Sequence, residues 1–278
     1  MPVNDQNAPP GPADLAADAA LLEDAVRAAG AAALAHYGKS PRSWTKEFNS
    51  PVSEADLIAD NLLHAALCGA RPGYGWLSEE SGRDNGHGGI AHGDSPVWIV
   101  DPIDGTRAFL KTLPEWTVSV ALVSDGKPVL AAVYNPVREE LFTARRGGGA
   151  ALNGAPIAAS GRADIAGAKL IAYENSLRGK KWRADWPKCE VAQVGSMAYR
   201  LCLVAAGQWD ATISVSAKSD WDLAAADLIM SEAGGIASTF LGAPFVYNKA
   251  DFRHPNVIGA GKALHGILKD HIDATFIP

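Results

Sequence analysis

The chain has 278 residues, of which 47% are hydrophobic and 20% charged, and its formal net charge is −6. That length holds one large layered domain or two closely packed ones around a sizeable core, and the acidic balance argues against a long nucleic-acid footprint and against electrostatic attraction to anionic membranes. Cys68, Cys189 and Cys202 are odd in number and widely spaced, without a CxxC pair, so neither a disulfide framework nor a zinc site is expected, and a reducing cytoplasm is the expected location.

Residues 1–12 are rich in Pro, Asn and Gly and lack a basic segment followed by an apolar run, which predicts a disordered tail rather than a signal peptide. No apolar run approaches the roughly 20 residues of a membrane span, so no integral membrane segment is expected. Leu15 to Tyr37 is alanine-rich with apolar residues at helical spacing, and Gly38 and Pro41 stop it, predicting a first helix. Ser53 is placed to cap a second helix, in which Leu57, Ile58, Leu62 and Leu63 recur at helical spacing up to Cys68; Asp56 then falls in its first turn. Trp76-Leu77-Ser78 is a short apolar run leading into Glu79-Glu80, Gly82 to Ser95 reads as a surface loop, and Val97 to Val100 as a buried strand that delivers Asp101.

Thr117 to Val123 and Pro128 to Tyr134 read as strands around the turn Asp125-Gly126-Lys127, Leu141 to Ala144 as a further strand, and Gly147 to Asn153 as a turn-rich stretch. The pattern then alternates: Lys169 to Tyr173 strand, Ser196 to Ala206 helix, Asp210 to Val215 strand, and a helix from about Asp220 to Ala233 closed by Gly234-Gly235. There is no internal repeat, and the expected class is α/β in a layered α+β sandwich. The expected organisation is an N-terminal α+β half over 13–155 and a C-terminal α/β half over 156–278, with the boundary near Ala155 and a site shared between them.

The chemistry-bearing segment is Trp98-Ile99-Val100-Asp101-Pro102-Ile103-Asp104-Gly105-Thr106, an apolar strand running into two carboxylates, a glycine and a hydroxyl. Carboxylates three residues apart at a strand end can share a hard cation or hold one each, since Mg²⁺ takes oxygen ligands at about 2.0–2.1 Å. Gly105 allows close backbone approach, and amides opening a following helix would face a phosphate. Alone, Asp-Pro-x-Asp-Gly also fits a simple turn. Its company changes the weight: Asp56 at a helix start, Glu79-Glu80 at a strand end, and Trp221-Asp222 opening another helix.

Ser50-Pro51-Val52-Ser53-Glu54-Ala55-Asp56, Ser78-Glu79-Glu80-Ser81, Asp101 to Thr106, and Trp221-Asp222 with Glu232-Ala233-Gly234-Gly235 together resemble the ordered motif set of the inositol monophosphatase superfamily, over residues of about 46 to 240. The resemblance implies that family's fold and an Mg²⁺-dependent, lithium-sensitive phosphomonoesterase with two or three ions. Glu79 and Asp101 with the Ile103 carbonyl resemble the ligands of a first metal, and Asp101, Asp104 and Asp222 those of a second. Glu79 would also hold a weaker third ion and its water. Thr106, paired with Asp56, resembles the hydroxyl that orients and deprotonates the attacking water, so Asp56, Glu79 and Thr106 are the implied catalytic residues. No covalent phosphoenzyme is implied, and Ser53 stands where the family usually has threonine.

The substrate side implied by the resemblance is Asp104, Gly105, Thr106, Gly195, Ser196 and Asp222. Ser196 reads either as a helix start receiving a second phosphate or as an N-cap only. Arg107 and Phe109 after Gly-Thr, Lys46 before Asn49-Ser50-Pro51-Val52, and Glu115-Trp116-Thr117-Val118 resemble the 3'(2'),5'-bisphosphate nucleotidase branch, which converts adenosine 3',5'-bisphosphate to AMP. Inositol monophosphatase and histidinol-phosphate phosphatase are the alternatives; Lys46 and Arg107 also read as solvated surface charges. The implied partner is a small phosphorylated metabolite, and a homodimer is common in the family. A haloacid-dehalogenase-type site would need aspartates separated by one residue, whereas Asp101 and Asp104 are separated by two, and Gly147 to Gly149 lacks the Gly-Lys-Ser/Thr ending of a P-loop. A non-catalytic binding or regulatory homologue would be favoured by a missing ligand, yet Asp56, Glu79, Asp101, Asp104, Thr106 and Asp222 are all present.

Overall fold

The computed structural model describes residues 12–46, 51–80, 96–178 and 181–277. Helices α1 (Pro12–Leu34) and α2 (Glu54–Ala70) follow the two predicted periodic stretches, with the short strands β1 (Ser43–Thr45) and β2 (Pro51–Ser53) paired between them. Next come β3 (Gly75–Ser78), β4 (Val97–Asp104), the five-residue helix α3 (Thr106–Leu110), β5 (Thr117–Ser124), β6 (Lys127–Asn135), β7 (Glu140–Arg145), β8 (Gly149–Leu152) and β9 (Ala155–Pro156). These strands form a seven-stranded sheet in the order β3-β4-β5-β6-β7-β8-β9, antiparallel apart from the parallel pair β3–β4. Asp125 (φ 50) and Gly126 (φ 70) both take positive φ in the β5–β6 turn, the geometry that matches the twist of a two-residue hairpin.

The second half supplies β10 (Lys169–Ile171), β11 (Glu190–Ala192), α4 (Met197–Ala205), β12 (Ala211–Ser214), β13 (Lys218–Ser219), α5 (Asp220–Glu232), β14 (Gly235–Ser238), β15 (Arg253–His254), β16 (Val257–Gly261) and α6 (Lys262–Thr275). Five of its strands form a mixed sheet ordered β11-β10-β12-β16-β14, and β13 pairs with β15.

Burial on both faces of each sheet gives the layering. In the large sheet, Trp98, Val100, Val120 and Leu122 join Leu22, Val26, Leu63 and Leu67 of α1 and α2. Their neighbours Ile99, Ala121 and Val133 point the other way and join α4 and α5, which also meet Ile171 and Val257 of the small sheet. The opposite face of that sheet, with Leu170, Ile213, Ile258 and Ala260, is covered by Leu264, Leu268 and Ile272 of α6. The order is therefore helix pair, sheet, helix pair, sheet, helix, an α+β layered fold in which period-two alternation sends successive strand residues to different layers.

Several boundaries differ from the expected ones. The first helix ends at Leu34 rather than Tyr37, residues 35–37 continuing as turn. The strand from Lys169 stops at Ile171, which turns Tyr173 toward the cleft described below. Part of the turn-rich stretch 147–153 is β8, because its alanines pair with Phe142 to Arg145. The tail expected over residues 1–12 lies outside the described residues except that Pro12 opens α1, and the loop expected over 82–95 lies outside them altogether. Cys68, Cys189 and Cys202 are free thiols. Among the described residues no helix is long and apolar enough to cross a membrane.

The layering predicts where stability resides. Leu122→Ala, at a fully buried position, should lower unfolding free energy by about 2–5 kcal/mol in a denaturant titration, whereas Leu241→Ala, 85% exposed, should change it by less than about 0.5 kcal/mol.

Candidate active site

β4 is buried along its entire length and carries Asp101 and Asp104 near its end. Its pairing with β5 is regular up to Asp101↔Ser119 and shifts register before Asp104↔Thr117. Pro102 lacks an N–H for the ladder, and the Ile103 N–H donates instead to Asp101 Oδ1 at 3.1 Å. Such an irregularity re-aims side chains at a strand end.

Two further carboxylates are placed by one device used twice. Asp56 is the third residue of α2 and Asp222 the third of α5, each behind an N-cap serine. The Ser53 N–H and hydroxyl donate to Asp56 Oδ2 at 2.8 and 2.6 Å, and the Ser219 N–H donates to Asp222 Oδ2 at 2.6 Å. Each carboxylate satisfies an amide that the helix start leaves unpaired, and one oxygen of each remains for other partners. For Asp56 that partner is Thr106, whose hydroxyl lies 3.2 Å from Asp56 Oδ1 and 3.1 Å from the Ile103 carbonyl.

Asp104 is held by the start of α4. Its Oδ2 accepts from the Ser196 hydroxyl and the Ala198 N–H, both at 2.6 Å, while Ser196 Oγ accepts from the Tyr199 N–H at 2.9 Å and lies 3.0 Å from Thr117 Oγ1. Gly105 takes φ +96, and a Cβ there would stand 3.0 Å from the Glu115 carbonyl and 3.1 Å from the Ser196 amide nitrogen. Both the backbone conformation and the close approach of the two halves therefore require glycine.

These elements surround a cavity of about 170 Å³ lined by Glu79, Asp101, Asp104, Gly105, Thr106 and Asp222 among others. Oxygens of Asp101, Asp104 and Asp222 lie within 4.8 Å of one another. Burial and the neighbouring Glu79 and Asp104 charges push the Asp101 carboxyl well above its usual range, and burial raises Asp104 despite the hydrogen bonds from Ser196 and Ala198. Burial raises Asp222 to about 7, with Asp104 adding to the shift and Lys218 opposing it, and raises Asp56 to about 6 against the hydrogen bonds from Ser53. Hard oxygen donors held this close are costly as bare charges, and a multivalent cation removes that cost; the donor set fits Mg²⁺.

Of the residues singled out in the sequence, Asp56, Thr106 and Ile103 form one hydrogen-bonded group, and Glu79, Asp101, Asp104 and Asp222 border the same cavity. Gly195 also lines it. Ser196 takes the N-cap role, one of its two expected readings: it is wholly buried, caps α4, and its hydroxyl bonds Asp104, Thr117 and the Tyr199 amide, so it orients Asp104. Lys46 is no solvated charge, because it bridges Glu79 at 3.2 Å and Glu80 at 2.8 Å. Arg107 is exposed at the rim.

The sequence reading missed four contributors. Tyr173, Arg200 and Lys218 line the cavity, and buried Asp60 anchors the end of β3 by accepting from the Ser78 hydroxyl. Arg200 was detectable as a lone cation within the otherwise apolar run Leu201 to Ala206 and Met197 to Ala198; the others carry no local signal.

Comparison with known proteins agrees with this geometry. Residues 14–273 match the Inositol monophosphatase family. The chain is 34% identical over 234 residues to "Nus factor SuhB" of Xylella fastidiosa, covering 80% of this chain and 82% of that one. It is 38% identical over 197 residues to "Inositol-1-monophosphatase" of Mesorhizobium japonicum, covering 67% and 71% respectively. The crystal structure of extragenic suppressor protein suhB from Bartonella henselae superimposes with a TM-score of 0.75 at 28% identity, covering 91% of this chain and 96% of that one. With its motifs gathered around one cavity and the match extending over nearly its whole length, the chain belongs to the inositol monophosphatase family.

Proposed function

We propose that the chain is an Mg²⁺-dependent phosphomonoesterase acting on a small phosphorylated metabolite. The observation that carries this reading is the meeting of the Asp101, Asp104 and Asp222 carboxylates within 4.8 Å, in the cavity that Thr106, bonded to Asp56, also lines. Glu79, Asp101 and the Ile103 carbonyl, together with Asp104 and Asp222, are the groups that would hold two or three cations. When bound, such ions supply positive charge against the phosphoryl oxygens and Lewis acidity toward water.

The chain's own residues handle the proton. Ionised Asp56 accepts the Thr106 proton, which leaves the Thr106 oxygen lone pairs to accept from a water and fix its approach to phosphorus. As the water oxygen bonds to phosphorus, its proton passes to Thr106 and that of Thr106 to Asp56, while the bond to the leaving alkoxide breaks and the alkoxide is protonated from solvent. A carboxyl raised to about 6 is mostly ionised at neutral pH and still basic enough for this task. Gly105 and Thr106 would sit against the phosphoryl group, and Gly195 against the rest of the substrate.

Within this class the finer reading is a 3'(2'),5'-bisphosphate nucleotidase, supported by basic residues at the cavity, Arg107, Arg200 and Lys218. Hydrolysis of an inositol monophosphate is the second reading, favoured by the Mesorhizobium relative and its printed name. The relatives called "Nus factor SuhB" favour a binding role instead of turnover or beside it, and a rate measurement separates these.

Asp101→Asn should reduce Mg²⁺-dependent phosphate release by at least about 10³-fold with an unchanged circular dichroism spectrum; an undiminished rate would overturn the metal assignment. Thr106→Ala should lower kcat by about 10²–10⁴-fold with little change in KM. Across adenosine 3',5'-bisphosphate, inositol 1-phosphate, histidinol phosphate and fructose 1,6-bisphosphate, the adenosine compound should give the highest kcat/KM, and Li⁺ should depress its release. Release from none of them would move the assignment to the binding role.

A further inference from the structure

Asp220 is the first residue of α5, two positions before Asp222. It is wholly buried and both of its carboxylate oxygens are engaged: Oδ2 accepts from the Asn248 N–H at 2.7 Å, and Oδ1 lies 2.8 Å from His254 Nε2. A carboxylate only accepts, so the imidazole donates from Nε2. The main chain reinforces the contact. The Asp220 N–H donates to the Phe252 carbonyl at 2.9 Å, β13 pairs with β15 through Lys218↔His254 and Ser219↔Arg253, and the Trp221 ring lies 5.0 Å from that of Phe252. Residues 248–254 therefore grip the first turn of α5 by side chain and backbone together.

His254 is itself held in place. It is buried, and the rings of Phe245 and Tyr247 meet it edge-on at 4.9 and 5.6 Å. The Tyr247 hydroxyl donates in turn to Asp227 of the same helix α5 at 2.9 Å. The grip bears on the site because the Ser219 N–H aims Asp222 by donating to its Oδ2 at 2.6 Å. Ser219 lies between Lys218 and Asp220, and both are tied to the 252–254 segment. Neither Asp220 nor His254 is among the described residues that line the cavity, so their influence on it passes through Asp222. Hydrogen-bonded partners outside the ligand sphere orient a ligating carboxylate and set metal affinity in this way.

We infer that His254 is a positioning residue for the metal-holding carboxylate Asp222, acting through Asp220 and the first turn of α5. The inference rests on the metal-dependent reading above, because it takes Asp222 to hold a cation.

The test is calorimetric titration of Mg²⁺ into the metal-free chain without substrate, beside the melting temperature of that chain. Leucine fills much of the space of the imidazole without an N–H, whereas glutamine carries an amide N–H about as far from the backbone as Nε2. His254→Leu should weaken Mg²⁺ binding about tenfold and raise the Mg²⁺ concentration for half-maximal phosphate release by the same factor, and His254→Gln should recover most of the loss. Asparagine, whose amide stops short of Asp220, should behave as leucine does and serves in its place if His254→Leu does not fold. Leu122→Ala is the comparison for general destabilisation: it should lower the melting temperature and leave Mg²⁺ affinity unchanged.

Wild-type Mg²⁺ affinity in His254→Leu and His254→Asn, a loss that glutamine does not mend, or an equal loss in Leu122→Ala would overturn the inference and make His254 a packing residue. Mg²⁺ binding that His254→Leu weakens, in a wild-type chain that releases no phosphate, would uphold the inference and overturn the phosphatase reading. Phosphate release whose Mg²⁺ dependence His254→Leu leaves unchanged would do the reverse, and a wild-type chain that binds no Mg²⁺ would overturn both.

Discussion

Mutual repulsion of buried carboxylates is the constraint around which this protein is arranged. Asp101, Asp104 and Asp222 come from a strand end and a helix start that are far apart in sequence, and their oxygens are held within 4.8 Å. Left alone, such groups would separate or take up protons, and the raised pKa of each is the expression of that tendency. Holding them together demands a rigid frame, and the sheet buried on both faces with helices clamped between the layers is one.

Helix N-termini do the local holding. Asp56 and Asp222 each satisfy an N-cap amide of their own helix, and Asp104 satisfies an amide at the start of a different one. A carboxylate in that position is oriented by hydrogen bonds and favoured by the helix dipole, so its second oxygen is presented in a fixed direction without solvent support. The contact between Asp104 and α4 also joins the two halves of the chain directly at the cavity, with Gly105 permitting the approach. Stability and site geometry therefore share the same few interactions.

Much of this was legible in the residues. The apolar runs of β4 and β5, the Asp-Gly turn between β5 and β6, the serine caps and the periodicity of α1, α2 and α5 are local properties that neighbouring residues encode. The C-terminal region was not read: β14, β15, β16 and α6 passed unassigned, since short strands such as Val257–Gly261 take their identity from pairing with β12 and β14 rather than from their own pattern. The same holds for β8, whose glycines and alanines resemble a turn until Phe142 to Arg145 pair with them.

The sequence by itself determined which groups are available for chemistry, the carboxylates, the hydroxyl and the glycine of the 101–106 segment and the capped aspartates, because capping, turn geometry and strand alternation act over a few residues. Only the tertiary structure decided how those groups are used. It committed the Ser196 hydroxyl to Asp104, drew Lys46 onto Glu79 and Glu80, and buried Arg200 at the cavity. Those outcomes depend on distances between segments many residues apart, and such distances are set by the packing of layers.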